Sequence, residues 1–252
     1  MPIDFARRLT GIDRSRDGNR HLGWALAFVA GATNAGAFLA VRQYTSHMTG
    51  MVSSMADYLV LGDLHLASGA LGGLLSFLLG AATTAVLVNY ARRRQLKSQF
   101  ALPLLVEAAL LLIFGVIGAR LATIHGLFVP GTVMLLCFTM GLQNAVITKV
   151  SRSEIRTTHI TGLVTDIGIE LGKLVYWNRL QEDPSLRVDA DRDRLLVLGL
   201  LVLAFAVGGV VGALGFHSIG YSTTVPLAML LVLMSIVPAA DDVKDYLART
   251  VD

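Results

Sequence analysis

Six stretches of this chain run for roughly twenty residues with almost no charge, near 22–41, 68–91, 101–119, 131–149, 195–216 and 223–240. Between them they hold only two charged residues, Glu107 and Lys149. A bilayer core about 30 Å thick is crossed by about 20 apolar residues in helical form. No backbone polar group can go unsatisfied there, so only helices and closed barrels cross. Barrel strands alternate polar and apolar residues. These stretches are instead continuous and rich in Leu, Ala, Val and Gly. They predict an all-α polytopic membrane helix bundle.

Composition agrees. The chain is 54% hydrophobic and 15% charged, against about 25% charged in soluble domains. Its pI near 9.2 does not require a nucleic-acid partner, because membrane proteins carry basic loops for topological reasons. Zinc-finger spacing and aromatic-basic interleaving are both absent, so nucleic acid is not an expected partner. The single cysteine, Cys137, excludes an intramolecular disulfide. Residues 1–21 lack an apolar segment and read as a cytoplasmic tail rather than a cleavable signal. The expected organisation is that tail, one transmembrane domain over 22–240, and a second cytoplasmic tail over 241–252. The bilayer is the expected partner, in a bacterial inner membrane, and a homo-oligomer is compatible with the size.

Two further segments, 48–66 and 160–177, are apolar but interrupted by charge. Positive charge decides whether they cross, since Lys and Arg concentrate on the cytoplasmic side. If neither crosses, 18 of the 21 Lys and Arg lie inside, and only Arg42 and Arg120 lie outside, with Lys173 in a weak segment. If both cross, the split falls to 12 against 8. Six spans with both termini cytoplasmic are therefore expected. The weak segments would be re-entrant, broken or interfacial.

Each weak segment opens on nearly the same hexapeptide, TSHMTG at 45–50 and TTHITG at 157–162. Upstream, GATNAGAF at 31 faces GLQNAVIT at 141. Each half holds three spans and one weak segment, with repeat 1 over about 22–120 and repeat 2 over about 131–240. Three is odd, so the second half enters the membrane inverted. Paired interruptions in inverted halves point to a binding site near the midplane.

The chemistry of the motif fits such a site. A Ser or Thr hydroxyl before a helix caps its N-terminus, and a half-helix start carries free N–H groups and partial positive charge. Gly50 and Gly162 permit close approach. The candidate substrate-binding residues are Asn34, His47, Thr49, Gly50, Gln143, Asn144, Thr158, His159, Thr161, Gly162 and Asp166. The candidate ligand is a small polar or anionic solute. The competing reading is structural, because His, Thr and Asn also serve as interhelical hydrogen-bond partners in membranes. Glu170 and Lys173 stand three residues apart, the spacing of a local ion pair. Glu107 is isolated on an apolar span and either pairs in the bundle or lines a pathway. His47, His159 and Asp166 lack the local spacing of a metal site. The chain carries no phosphate loop or nucleophile elbow, so no enzyme activity is expected.

The motifs SHMTG at 46–50, GLQNA at 141–145 and TTHITGLVTDIG at 157–168 resemble those of the YoaK-like family of bacterial inner-membrane proteins, whose function is unknown. The resemblance runs from about 22 to 238 and implies a multi-pass membrane protein with no known cofactor. Three departures matter. The family commonly has Asp where Asn34 stands, Asn where Met51 stands, and an aromatic residue where His159 stands. The leading expectation is a small-solute transporter or permease. The alternative is a membrane scaffold or regulator.

The topology carries its own test. In a Cys137→Ser background, Arg93→Cys is expected to react with an impermeant maleimide only after the membrane is permeabilised. Labelling of intact spheroplasts would overturn the six-span arrangement.

Overall fold

The computed structural model describes residues 16–121, 128–151, 155–176 and 187–251, and among them the chain is helical with no strand. Eight α-helices follow in order: α1 (Arg16–Val41), α2 (Met48–Leu61), α3 (Leu64–Arg93), α4 (Ala101–Leu121), α5 (Phe128–Val150), α6 (Ile160–Val175), α7 (Arg192–Ser218) and α8 (Thr224–Val251). A 3-10 turn, Gly220–Thr223, leads into α8. Six of them, all but α2 and α6, are long and apolar enough to cross a membrane. That is the build of a multi-pass membrane protein. Val86, Val210, Leu214 and Leu233 on these helices are more than 60% exposed. Such an apolar outer surface suits lipid and not water.

α2 and α6 have 14 and 16 residues. At 1.5 Å per residue they reach about 21 and 24 Å, short of a 30 Å core. The segment expected at 48–66 does not stay whole. α2 stops at Gly62, which takes a left-handed φ of 78° as C-cap, and Asp63 then caps α3 by accepting from the Leu66 N–H at 3.0 Å. Asp191 caps α7 in the same way, accepting from the Arg194 N–H at 2.9 Å. Each short helix therefore folds back on the long helix that follows it. Met51 meets Gly73 of α3, nine residues into that helix, so α2 begins nearly halfway along it.

Both expected tails are partly helical. α1 already begins at Arg16 and α8 continues through Pro238 to Val251. The polar extension has a packing reason. Asp242 of α8 accepts from the Lys97 and Ser98 N–H groups at 2.7 and 2.8 Å, tying α8 to the turn before α4.

The core is built on four copies of one four-residue pattern: Phe28-x-x-Gly31, Phe77-x-x-Gly80, Phe138-x-x-Gly141 and Phe205-x-x-Gly208. A Cβ added at Gly31 would lie 2.0 Å from the Phe205 carbonyl oxygen, and one at Gly208 would lie 2.1 Å from that of Phe28. The second pair repeats this contact: a Cβ added at Gly141 would lie 2.0 Å from the Phe77 carbonyl oxygen, and one at Gly80 would lie 2.0 Å from that of Phe138. Helices α1 and α7 thus touch backbone to backbone, as do α3 and α5. The direction is parallel in both pairs, since contacts advance together along the two chains (Gly23 with Leu201, Gly36 with Phe216). Small residues permit this approach where no hydrophobic effect drives helices together. Aromatic rings close one end, where Phe114 and Phe216 lie edge-on to Tyr221 at centroid distances of 5.6 and 6.0 Å.

Gly31→Ala and Gly141→Ala are each expected to destabilise the protein by about 1–3 kcal/mol or more, the usual range for overpacking. Gly199→Ala, where an added Cβ meets nothing within 4 Å, serves as the neutral control. Unfolding in mixed detergent micelles measures all three, and a neutral Gly31→Ala would refute the close approach.

Candidate functional site

Two loops of the same shape deliver the hexapeptides. α1 ends where Arg42 takes a left-handed φ of 57°. Tyr44 then stacks on Phe38 at 5.0 Å, and the chain dips back along α1. Asn34 Nδ2 donates to Ser46 Oγ at 2.6 Å. In the second half Thr158 Oγ1 donates to Asn144 Oδ1 at 2.6 Å. The two asparagines therefore anchor the two loops from equivalent places, 12 and 14 residues upstream of their partners.

The helix starts differ from expectation. The N-caps are His47 and His159, not the threonines, and neither makes a side-chain cap hydrogen bond. Their backbones match closely, at φ −93°, ψ 71° and φ −85°, ψ 57°. Each ring folds over the first turn. A Cβ at Gly50 would fall 2.2 Å from His47 Cδ2, and one at Gly162 would fall 2.3 Å from His159 Nδ1. These glycines are needed to seat the rings. The first-turn N–H groups are thus left without a side-chain acceptor from the cap, with the positive end of the dipole exposed.

Both starts open on one cavity of about 1200 Å³. Asn34, His47, Thr49, Asn144, Thr158, His159 and Thr161 line it. Gln143 does not, and its expected place is corrected. It is fully buried and donates through Nε2 to the Leu26 carbonyl at 3.0 Å. Successive helical residues point about 100° apart, so Gln143 and Asn144 cannot share a face. Gly50 lies beneath the His47 ring instead of on the wall.

Asp166 and Gly162 belong to a second cavity of about 650 Å³. Arg20, Asp191, Asp193 and Arg194 contribute its charge. Asp166 accepts from Arg194 at 3.2 Å, and Arg20 pairs with Asp193. Glu170 and Lys173 make the expected pair at 2.8 Å, and Glu170 also accepts from the Asp191 N–H at 2.9 Å. Those hydrogen bonds, led by the one from Lys173, hold the Glu170 carboxyl below the usual carboxylate range. Arg156 and His159 line both cavities.

Sequence reasoning missed Arg156, the aromatic wall of Phe38, Tyr44, Phe77 and Phe205, and Ser46. Glu107 joins neither cavity. It is fully buried on α4, and both carboxyl oxygens lack a hydrogen-bond partner. Among the described residues no group of three His, Cys, Asp or Glu is placed to hold a metal ion.

Glu170→Gln is expected to lower the melting temperature more than Asp166→Asn, whose pair is 42–54% exposed and belongs to the class worth about 0–1 kcal/mol. Because the Glu170 carboxyl titrates below its ordinary value, its contribution is complete at neutral pH. It fades as pH falls below about 4.3. Thermal melts of wild type and variant should differ at pH 7 and converge only as the pH is taken well below about 4, through the lowered Glu170 value.

Residues 22–237 match the family described as protein of unknown function (DUF1275). No curated protein and no solved structure matches the chain. The chain belongs to the DUF1275 family.

Proposed function

We propose that this DUF1275 protein is a small-solute transporter whose site is the cavity between the two His-capped half-helices. The observation that carries this reading is the cavity itself: about 1200 Å³, walled by equivalent residues from both halves of the chain. A scaffold needs no such space. A transporter built from inverted repeats places its site where interrupted helices of both repeats meet.

Several pairings support an inverted-topology repeat. Asn34 with Ser46 matches Asn144 with Thr158. The caps Asp63 and Asp191 match. So do the two crossed Phe-x-x-Gly contacts. In the bilayer the first half-helix would enter from outside and the second from the cytoplasm, with both termini cytoplasmic. The parallel pairs α1 with α7 and α3 with α5 could then rock about the fixed site.

Reconstituted in liposomes loaded with a metabolite mixture, the protein is expected to move at least one solute, detected by mass spectrometry of the exterior. Ala213→Phe, which fills the cavity from α7, should reduce that flux to the level of empty liposomes. Folded, reconstituted wild type that moves nothing would sink the reading in favour of a scaffold.

A further inference from the structure

We propose that the central cavity takes a small organic anion with an apolar body, its charged group held by Arg156. The assignment rests on the cavity being a solute site, as proposed above. Arg156 precedes the second hexapeptide and is exposed to the cavity. Among the described residues it makes no ion pair or hydrogen bond, although Arg20 and Arg194 nearby are both paired. No Asp or Glu lines this cavity. A guanidinium without a carboxylate, facing an otherwise uncharged wall, is a site for an anion brought from outside.

Two further features shape the occupant. The α2 and α6 starts face the cavity with no side-chain cap, and helix N-termini favour negative charge. Asn34 lines the cavity, is 94% buried, and leaves its Oδ1 without a partner while Nδ2 holds Ser46. A buried acceptor left unmatched is costly, so this oxygen calls for a hydroxyl or N–H on the body of the occupant, apart from its anionic group. The remaining wall sets the other end of the ligand. Phe38, Phe77, Phe205 and Tyr44 offer ring faces and edges that suit an aliphatic or aromatic body. A fully hydrated inorganic anion would leave that surface unused.

The test uses three probes of one shape on the full-length protein in nanodiscs: phenylacetate, its neutral amide and phenylethylammonium. Phenylacetate alone is expected to raise the melting temperature, as a ligand selective for the folded state must. Arg156→Gln should weaken its binding by about ten- to a hundredfold, the loss of one charge-assisted hydrogen bond. Arg156→Lys should retain most of it, and Ala213→Phe should abolish it. Equal or stronger binding of the amide or the ammonium probe would overturn the anion assignment and leave the transport reading intact. Full phenylacetate binding in Ala213→Phe would overturn it too, by placing the anion in the smaller charged cavity. Failure of every probe to bind folded wild type would likewise overturn it. Phenylacetate binding that needs Arg156, in a protein that moves no solute in liposomes, would uphold the anion site and sink transport instead.

Discussion

Everything in the bundle hangs on the contact between a glycine and a carbonyl one helix away. Four Phe-x-x-Gly segments bring two pairs of parallel helices to backbone distance. In lipid, apolar side chains gain little by leaving their surroundings, so helices stay together through packing and polar contact. Glycine removes the Cβ that would hold the axes apart, and the phenylalanine one turn earlier supplies the carbonyl that fills the gap. With α1 fixed on α7 and α3 on α5, the helices bearing Asn34 and Asn144 are held where their loops can return to them.

The return of those loops is the second requirement. A chain re-entering at membrane depth exposes backbone groups that only protein or a water-filled cavity can satisfy. Asn34 and Asn144 each supply one short side-chain bond to the returning loop. Thr45 and Thr157 are fully buried beside them, with hydroxyls that have no hydrogen-bond partner. The histidines then take the cap position without capping. The half-helices therefore start open, facing space, at matching places in the two halves. A structural reading of the hexapeptides accounts for the threonines and glycines, which seat the loop and the ring. It does not account for a cavity kept between two uncapped helix starts.

The spans were legible because continuous apolar runs have no competing interpretation at that length, and the strained charge count disposed of 48–66 and 160–177 as crossings. The helix starts were less legible. The usual rule favours Thr over His as a cap, but here ring packing over Gly50 and Gly162 sets the loop geometry. Gln143 is next to Asn144 in sequence but about 100° away around the helix, so adjacency in the sequence does not put both on one wall. Nothing local in the sequence distinguishes Arg156 from Arg152, since both belong to one short basic stretch between apolar segments. The Phe-x-x-Gly quartet was readable in principle. Its signal is obscured by the abundance of both residue types in apolar helices, and by a fifth copy, Phe128-x-x-Gly131, whose glycine meets no neighbouring helix.

The two halves match in geometry but not in charge. The second half-helix carries Asp166, Glu170 and Lys173, and α7 begins with Asp191, Asp193 and Arg194. At the His47-to-His159 offset of 112 residues, the first half instead has Ser54, Tyr58 and Leu61 on α2, and Asp63, His65 and Leu66 stand at the start of α3. Of that set only the capping pair, Asp63 and Asp191, keeps its chemistry. The cap is required by the fold and the other charges are not, since the first half folds the same way without them. What the charges add is the ionic lining of the smaller cavity, which meets the central one at Arg156 and His159. The charge difference between the halves thus gathers on one side of the central cavity, at Arg156, the arginine that both cavities share.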